Sequence, residues 1–215
     1  MKTTVVNINR HTYEVYIGRP KPGRDGYYGN PFTIEESGGR LRAIDLYRDY
    51  FYKRIKSDQH FAAMIEKLRG KCLGCFCYPE ACHGDVIADY LNNPPKIVVC
   101  GSRKWLKIDI IEKRLSKLPP NAIIIQGGCG GADLLTRRIA LDLGLESVEF
   151  PAAWKKFGKA AGPIRNIKML NCNPSLVIAF HDDIDKSKGT KHTVSEARSR
   201  GIKVEIIDRK GRLYV

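Results

Sequence analysis

The chain has 215 residues, 43% of them hydrophobic and 28% charged; that balance excludes a disordered or fibrous chain, and no apolar run approaches the ~20 residues needed to span a bilayer. Seven cysteines, an odd number, and an N-terminus without a charged segment leading into an apolar one fit a secreted disulfide framework poorly and predict a cytoplasmic protein with reduced thiols or a metal site. The net charge of +14 is lopsided: residues 96–215 hold 23 Lys and Arg against 12 Asp and Glu, a field that draws polyphosphates and nucleic acids alike and does not tell them apart.

In chain order, residues 3–8 and 12–17 read as two strands paired with each other, followed by an amphipathic helix over 42–55 that places Ala43, Leu46, Tyr47, Tyr50 and Phe51 near one face. Further helices are predicted over 61–68 and 85–91, so residues 1–93 form a small α+β domain. Between those helices lies the densest cluster of the chain, Cys72, Cys75, Cys77, Cys82 and His83. Cys75, Cys77, Cys82 and His83 have intervals that suit zinc, but the second, distant ligand pair common in structural zinc sites is absent. A reactive thiol at Cys77 or Cys82, or simply buried cysteines, fits the same residues. No other cofactor is expected.

Asn92-Asn93-Pro94-Pro95 cannot continue a helix and marks a boundary. Beyond it, short apolar strands over 97–100, 122–125, 147–150, 176–180 and 204–207 alternate with helical patterns over 108–118, 132–143 and 194–200. That alternation predicts an α/β domain over 96–215, a parallel sheet with helices on both faces. Ligands in such sheets sit beyond the carboxyl ends of the strands.

The strand ends carry the chemistry. Gly101, Ser102 and Arg103 follow the first strand; Gly127, Gly128, Gly130 and Gly131 follow the second and lead through Asp133 into a helix, where backbone amides and the helix N-terminus suit a phosphate. After the third come Trp154, with a flat face for a base, then Lys159, the fork-shaped Arg165 and Asn166. After the fourth come His181, Asp182 and Asp183, then Gly189 and Thr190 just before a helix that contains Glu196. Asp133 and Asp182 are rival acids that serve equally well as helix caps.

These motifs in this order (Gly-Ser-Arg, Gly-Gly-x-Gly-Gly-Ala-Asp, Ala-Ala-Trp, Ala-Gly-Pro-x-Arg-Asn and Lys-Gly-Thr) resemble the SLOG superfamily, in particular its YspA-related branch. The superfamily also holds the Lonely Guy phosphoribohydrolases and the DNA-processing protein DprA. The resemblance implies a Rossmann-like pocket for a nucleoside monophosphate or a nucleotide related to NAD or ADP-ribose, and a homo-oligomer whose pockets neighbouring subunits complete. Lonely Guy enzymes cleave the bond between base and ribose 5′-monophosphate; Arg165 aligns with their arginine, and Gly189 and Thr190 with their glycine-threonine loop. Glu196 falls several residues later than their glutamate, which leaves Asp133 as a competing acid. The N-terminal part, with Arg19, Gly29-Asn30-Pro31-Phe32 and Cys75-x-Cys77-x-Pro79-x-x-Cys82-His83-Gly84, resembles a family of small phage and bacterial domains from which no activity carries over. Arg19, Asn30, Cys77, Cys82 and His83 are its candidate site residues.

Three functions fit these residues: binding with hydrolysis at an N-glycosidic bond, through Arg165, Glu196 and Asp133; a sensor or sponge for a signalling nucleotide, without turnover; and a DprA-like binder of single-stranded nucleic acid. A membrane partner is not expected.

Overall fold

In the computed structural model, which describes residues 1–214, the chain divides between Pro94 and Pro95 into two units. The first is built on a three-stranded sheet of β1 (Thr4–Asn7), β2 (Val15–Tyr16) and β3 (Cys72–Cys75), in the order β1-β3-β2 with both pairings parallel. The expected pairing of 3–8 with 12–17 is therefore not formed. Each of those strands pairs with β3, whose residues Leu73, Gly74 and Cys75 are buried. The cysteines of this segment drew attention to its chemistry and hid its role as the central strand.

Three helices cover the first sheet: α1 (Arg40–Ser57), α2 (Gln59–Glu66) and α3 (His83–Asn92). Along α1 the buried residues Ala43, Tyr47, Phe51 and Ile55 recur every four positions, one stripe of an amphipathic helix. Tyr47, Phe51, Phe61 and Tyr90 pack there around Leu73 and Ile87. Asp58 caps α2 by accepting the Phe61 amide at 2.9 Å, and Cys82 caps α3, its backbone amide donating to Asp85 at 2.8 Å.

The second unit is a six-stranded sheet of β4 (Lys96–Gly101), β5 (Ile123–Gln126), β6 (Glu146–Glu149), β7 (Leu176–Phe180), β8 (Lys203–Ile207) and β9 (Leu213–Tyr214). The order is β6-β5-β4-β7-β8-β9, and all pairs are parallel except β8 with β9. Successive side chains of β4 enter opposite cores: Ile97 and Val99 pack with residues of α4 (Ile108–Leu115) and α5 (Ala132–Asp142). Val98 and Cys100 pack instead with residues of α7 (Ala161–Leu170) and α8 (Lys188–Ser199). A strand buried on both faces must read as a continuous apolar run, which is why β4, β5 and β7 are plain in the sequence.

The α/β expectation holds, with differences in detail. α8 starts at Lys188 rather than residue 194, and α7 forms in a segment for which no helix was predicted; Pro163 is tolerated there because it lies in the first turn, where no N–H is needed. A four-residue helix, α6 (Trp154–Phe157), precedes it. From β4 the chain winds outward through β5 and β6, then returns to the far side of β4 as β7. The crevice outside the carboxyl ends of β4 and β7 is therefore the switch point of the sheet. Among the described residues no helix is long and apolar enough to cross a membrane.

Candidate functional site

At that switch point lies a cavity of about 390 Å³, within the size range of small-molecule sites. Gly101, Ser102 and Arg103 form one wall, the start of α8 at Ser187–Thr190 another, and Arg165 and Asn166 of α7 a third. Ser187 caps α8 by accepting the Thr190 amide at 3.3 Å, so the positive end of that helix dipole faces the cavity. Asn166 ties α7 to the same turn by donating to the Gly189 carbonyl at 3.3 Å.

Arg165 is the most unusual side chain of the site. It is only 10% exposed, its Nη1 stands 3.8 Å from Asp133 Oδ2, and its Nη2 donates to Cys129 Sγ at 3.5 Å. Among the described residues its buried Nε and Nη1 have no hydrogen-bond partner. Gly127 makes room for it, since a Cβ there would overlap the guanidinium.

Asp133 Oδ2 accepts the amides of Gly127 and Cys129, each at 3.2 Å. Burial pushes its carboxyl up to about 6, against the opposing effects of the Cys129 amide, Arg165, the Gly127 amide and Arg103. Gln126 Oε1 takes the Gly128 amide at 2.5 Å, and Ser102 O takes the Ala132 amide at 3.1 Å. The glycine loop was expected to offer these amides to a phosphate; here several of them hold the chain's own oxygens. Gly131, at φ 71°, lets the loop turn into α5 against the backbone of Ser102 and Arg103.

Other expected residues lie apart from the cavity wall. Glu196 is paired with Arg200 at 2.8 Å, two turns along α8 from its start, and Asp182 with Arg209 at 3.0 Å. Trp154 is half exposed on α6, next to Gly162, and Lys159 is exposed. His181, Lys104, Cys129 and Thr193 line the cavity, beside Lys186, without having been singled out as its ligands. His181 Nδ1 accepts the Asp183 amide at 3.0 Å, which leaves the ring proton on Nε2, and burial holds its pKa below the usual histidine range. Only its place at the end of β7 marked it in the sequence.

The first unit has its own cavity, about 270 Å³, again beyond the carboxyl ends of parallel strands. Arg19 follows β2, Cys75 and Cys77 follow from β3, and Cys82 and His83 open α3; with Asn30 they meet in one wall. Asn30 shapes its turn, donating to the Ala43 carbonyl at 3.1 Å and accepting the Phe32 amide at 2.8 Å. Arg19 Nε donates to the Asn30 carbonyl at 2.9 Å. His83 Nε2 donates to the Ile17 carbonyl at 2.8 Å, which sets Nδ1 as the bare nitrogen, 3.7 Å from Cys82 Sγ. The sulfurs of Cys75, Cys77 and Cys82 all lie within 4.8 Å of one another, close enough to ligate a single metal ion. Contact with the other two thiols, and Arg40 beyond them, holds the Cys77 thiol below the usual range, while those of Cys75 and Cys82 are raised.

Comparison with known proteins gives two family matches. Residues 3–93 match the model of a domain of unknown function, DUF4326, and residues 95–157 match that of the YspA, cpYpsA-related SLOG family. An uncharacterized 12.4 kDa protein of the nrdA-td intergenic region of Enterobacteria phage T4 is 40% identical over 88 residues, 41% of this chain and 76% of that protein. The Gene 61 protein of Mycobacterium phage D29 is 30% identical over 118 residues, 51% of this chain and 93% of that protein. Among solved structures, DNA processing protein A (DprA) from Streptococcus pneumoniae is similar at a TM-score of 0.45 and 22% identity, over 53% of this chain and half of its own. The chain belongs to the DUF4326 family over residues 3–93 and to the YspA, cpYpsA-related SLOG family over residues 95–157.

Proposed function

We propose that the second unit binds a phosphate-bearing nucleotide, a nucleoside monophosphate or an NAD- or ADP-ribose-related molecule, at the switch-point cavity. The observation that carries this reading is Arg165: a guanidinium sunk beside a cavity, with Asp133 no nearer than 3.8 Å and two nitrogens without a hydrogen-bond partner among the described residues, is costly unless a further anion completes it. The start of α8 and the lysines at 104, 186 and 188 add positive charge around the same space. Ser102, Asn166, Thr190 and His181 supply neutral groups for the sugar.

If the bound nucleotide is cleaved at its N-glycosidic bond, Asp133 is the carboxyl placed to move the proton, since its pKa of about 6 keeps both forms accessible near neutrality. Glu196, held by Arg200 outside the cavity wall, favours a binder without turnover over a Lonely Guy-like hydrolase.

The purified protein, incubated with nucleoside monophosphates, NAD, ADP-ribose and cyclic nucleotides, separates these readings when solution and denatured protein are both analysed by mass spectrometry. Intact ligand released only on denaturation, and lost in Arg165→Ala, is the outcome for a sensor. Free base in solution, lost in Asp133→Asn and retained in Glu196→Gln, is the outcome for a hydrolase acting through Asp133. No retention of any nucleotide, with tight single-stranded DNA binding that falls steeply with salt, sinks the proposal in favour of a nucleic-acid binder.

A further inference from the structure

We propose that Cys75, Cys77 and Cys82 of the first unit bind one zinc ion as three thiolates, leaving a fourth coordination position open to the cavity they line. The three sulfurs already lie within 4.8 Å of one another. Tetrahedral zinc with Zn–S bonds of about 2.3 Å needs sulfurs about 3.8 Å apart, so small side-chain rotations close the site. Soft thiolates select zinc over magnesium or calcium, and iron–sulfur clusters commonly need a fourth cysteine that this group lacks among the described residues.

The backbone holds the ligands in place from three directions. Cys75 ends the central strand β3, Cys77 lies two residues on, and Cys82 caps α3, its sulfur accepting the Gly84 amide at 3.3 Å. That amide, with Arg40 beside Cys77, offsets the net negative charge of a zinc trithiolate. On binding, each S–H bond gives its proton to solvent and each sulfur its electron pair to the metal; no electron transfer is involved.

A structural zinc site is closed by a fourth protein ligand, whereas a catalytic one keeps a position for water or substrate. His83 does not close this one: its Nε2 is committed to the Ile17 carbonyl, and its bare Nδ1, though 3.7 Å from Cys82 Sγ, lies outside the group of mutually close ligands. The fourth position faces about 270 Å³ of largely apolar space between Phe32, Ile44 and Phe76, with Arg19 and Lys21 also in its wall. The matching ligand is an anionic or water-derived donor at the metal, carried on an apolar or aromatic body.

The test is metal analysis of the full chain purified without chelators. One zinc per chain is expected, lost in Cys77→Ser and kept in Cys72→Ser, whose sulfur contacts the Thr12 carbonyl and stands outside the group. In the wild-type chain, cobalt exchanged for zinc should give thiolate charge-transfer and tetrahedral bands that shift when azide is added. Should Cys77→Ser fail to fold, titration of the wild type with a mercurial should release the zinc as three thiols are blocked. A chain that neither carries zinc nor takes up tetrahedral cobalt overturns the proposal, as does zinc retained equally by Cys77→Ser. A cobalt spectrum indifferent to azide overturns the open position.

Discussion

Gly127 and Arg165 form a pair that neither residue reveals alone. The glycine sits where a Cβ would overlap the guanidinium, so Gly127→Ala should swing Arg165 away from its buried position without disturbing β5 or α5. Retention of nucleotide should fall as far in Gly127→Ala as in Arg165→Ala, with the circular dichroism spectrum unchanged; undiminished retention would show that Arg165 does not hold the ligand. Asp133 gives a second residue-scale expectation. Its folded pKa of about 6 lies above the ordinary carboxylate value, so the folded state holds the proton more tightly than the unfolded state does. The stability it contributes is complete at low pH and is lost as pH rises from about 4 through about 6, by about 3 kcal/mol. Urea midpoints across that window should show the slope in wild type and a flatter curve in Asp133→Asn; parallel curves would assign the slope to other groups. The sequence offered Arg165 by side-chain chemistry and position. It offered Glu196 only by alignment with a displaced family residue, while Arg200, four residues on along the same helix, stands at the ordinary spacing of a helical ion pair and holds it.

At the scale of elements, what the sequence made legible follows burial. β4, β5 and β7, enclosed in the sheet, announce themselves as apolar runs, while β9 spans two exposed residues and carries no pattern. Sheet order in the first unit was hidden because a strand of four residues, Cys-Leu-Gly-Cys, gives too short a pattern to show which neighbours it joins. The start of α8 was missed for a different reason: Lys188, Gly189 and Thr190 read as lying just before the helix, whose start is set instead by the Ser187 cap. Ser187→Ala should therefore cost about 1 kcal/mol and fray the first turn of α8. Since that turn is a wall of the cavity, nucleotide retention should weaken as well. Amide hydrogen exchange at 188–191 checks the first effect, and protection equal to wild type would remove the cap from the argument.

Over the whole molecule, the two units carry separate cores: Phe51 is buried among α1, α2 and α3, and Phe180 among β4, β7 and their helices. A large-to-small change in either core costs about 3–5 kcal/mol through lost burial and the void it leaves. Phe51→Ala should lower one calorimetric transition of the full chain and Phe180→Ala another, each leaving its counterpart in place. A single transition moved equally by both changes would mean that the units unfold as one. The same experiment locates the zinc, because metal held by the folded thiolates and not by the unfolded chain stabilises only the unit that binds it. Chelation should reproduce the effect of Phe51→Ala and spare the transition lowered by Phe180→Ala. In that case the chain joins two independent ligand-binding folds, each with its cavity beyond the carboxyl ends of parallel strands, one built around thiols and the other around a buried arginine.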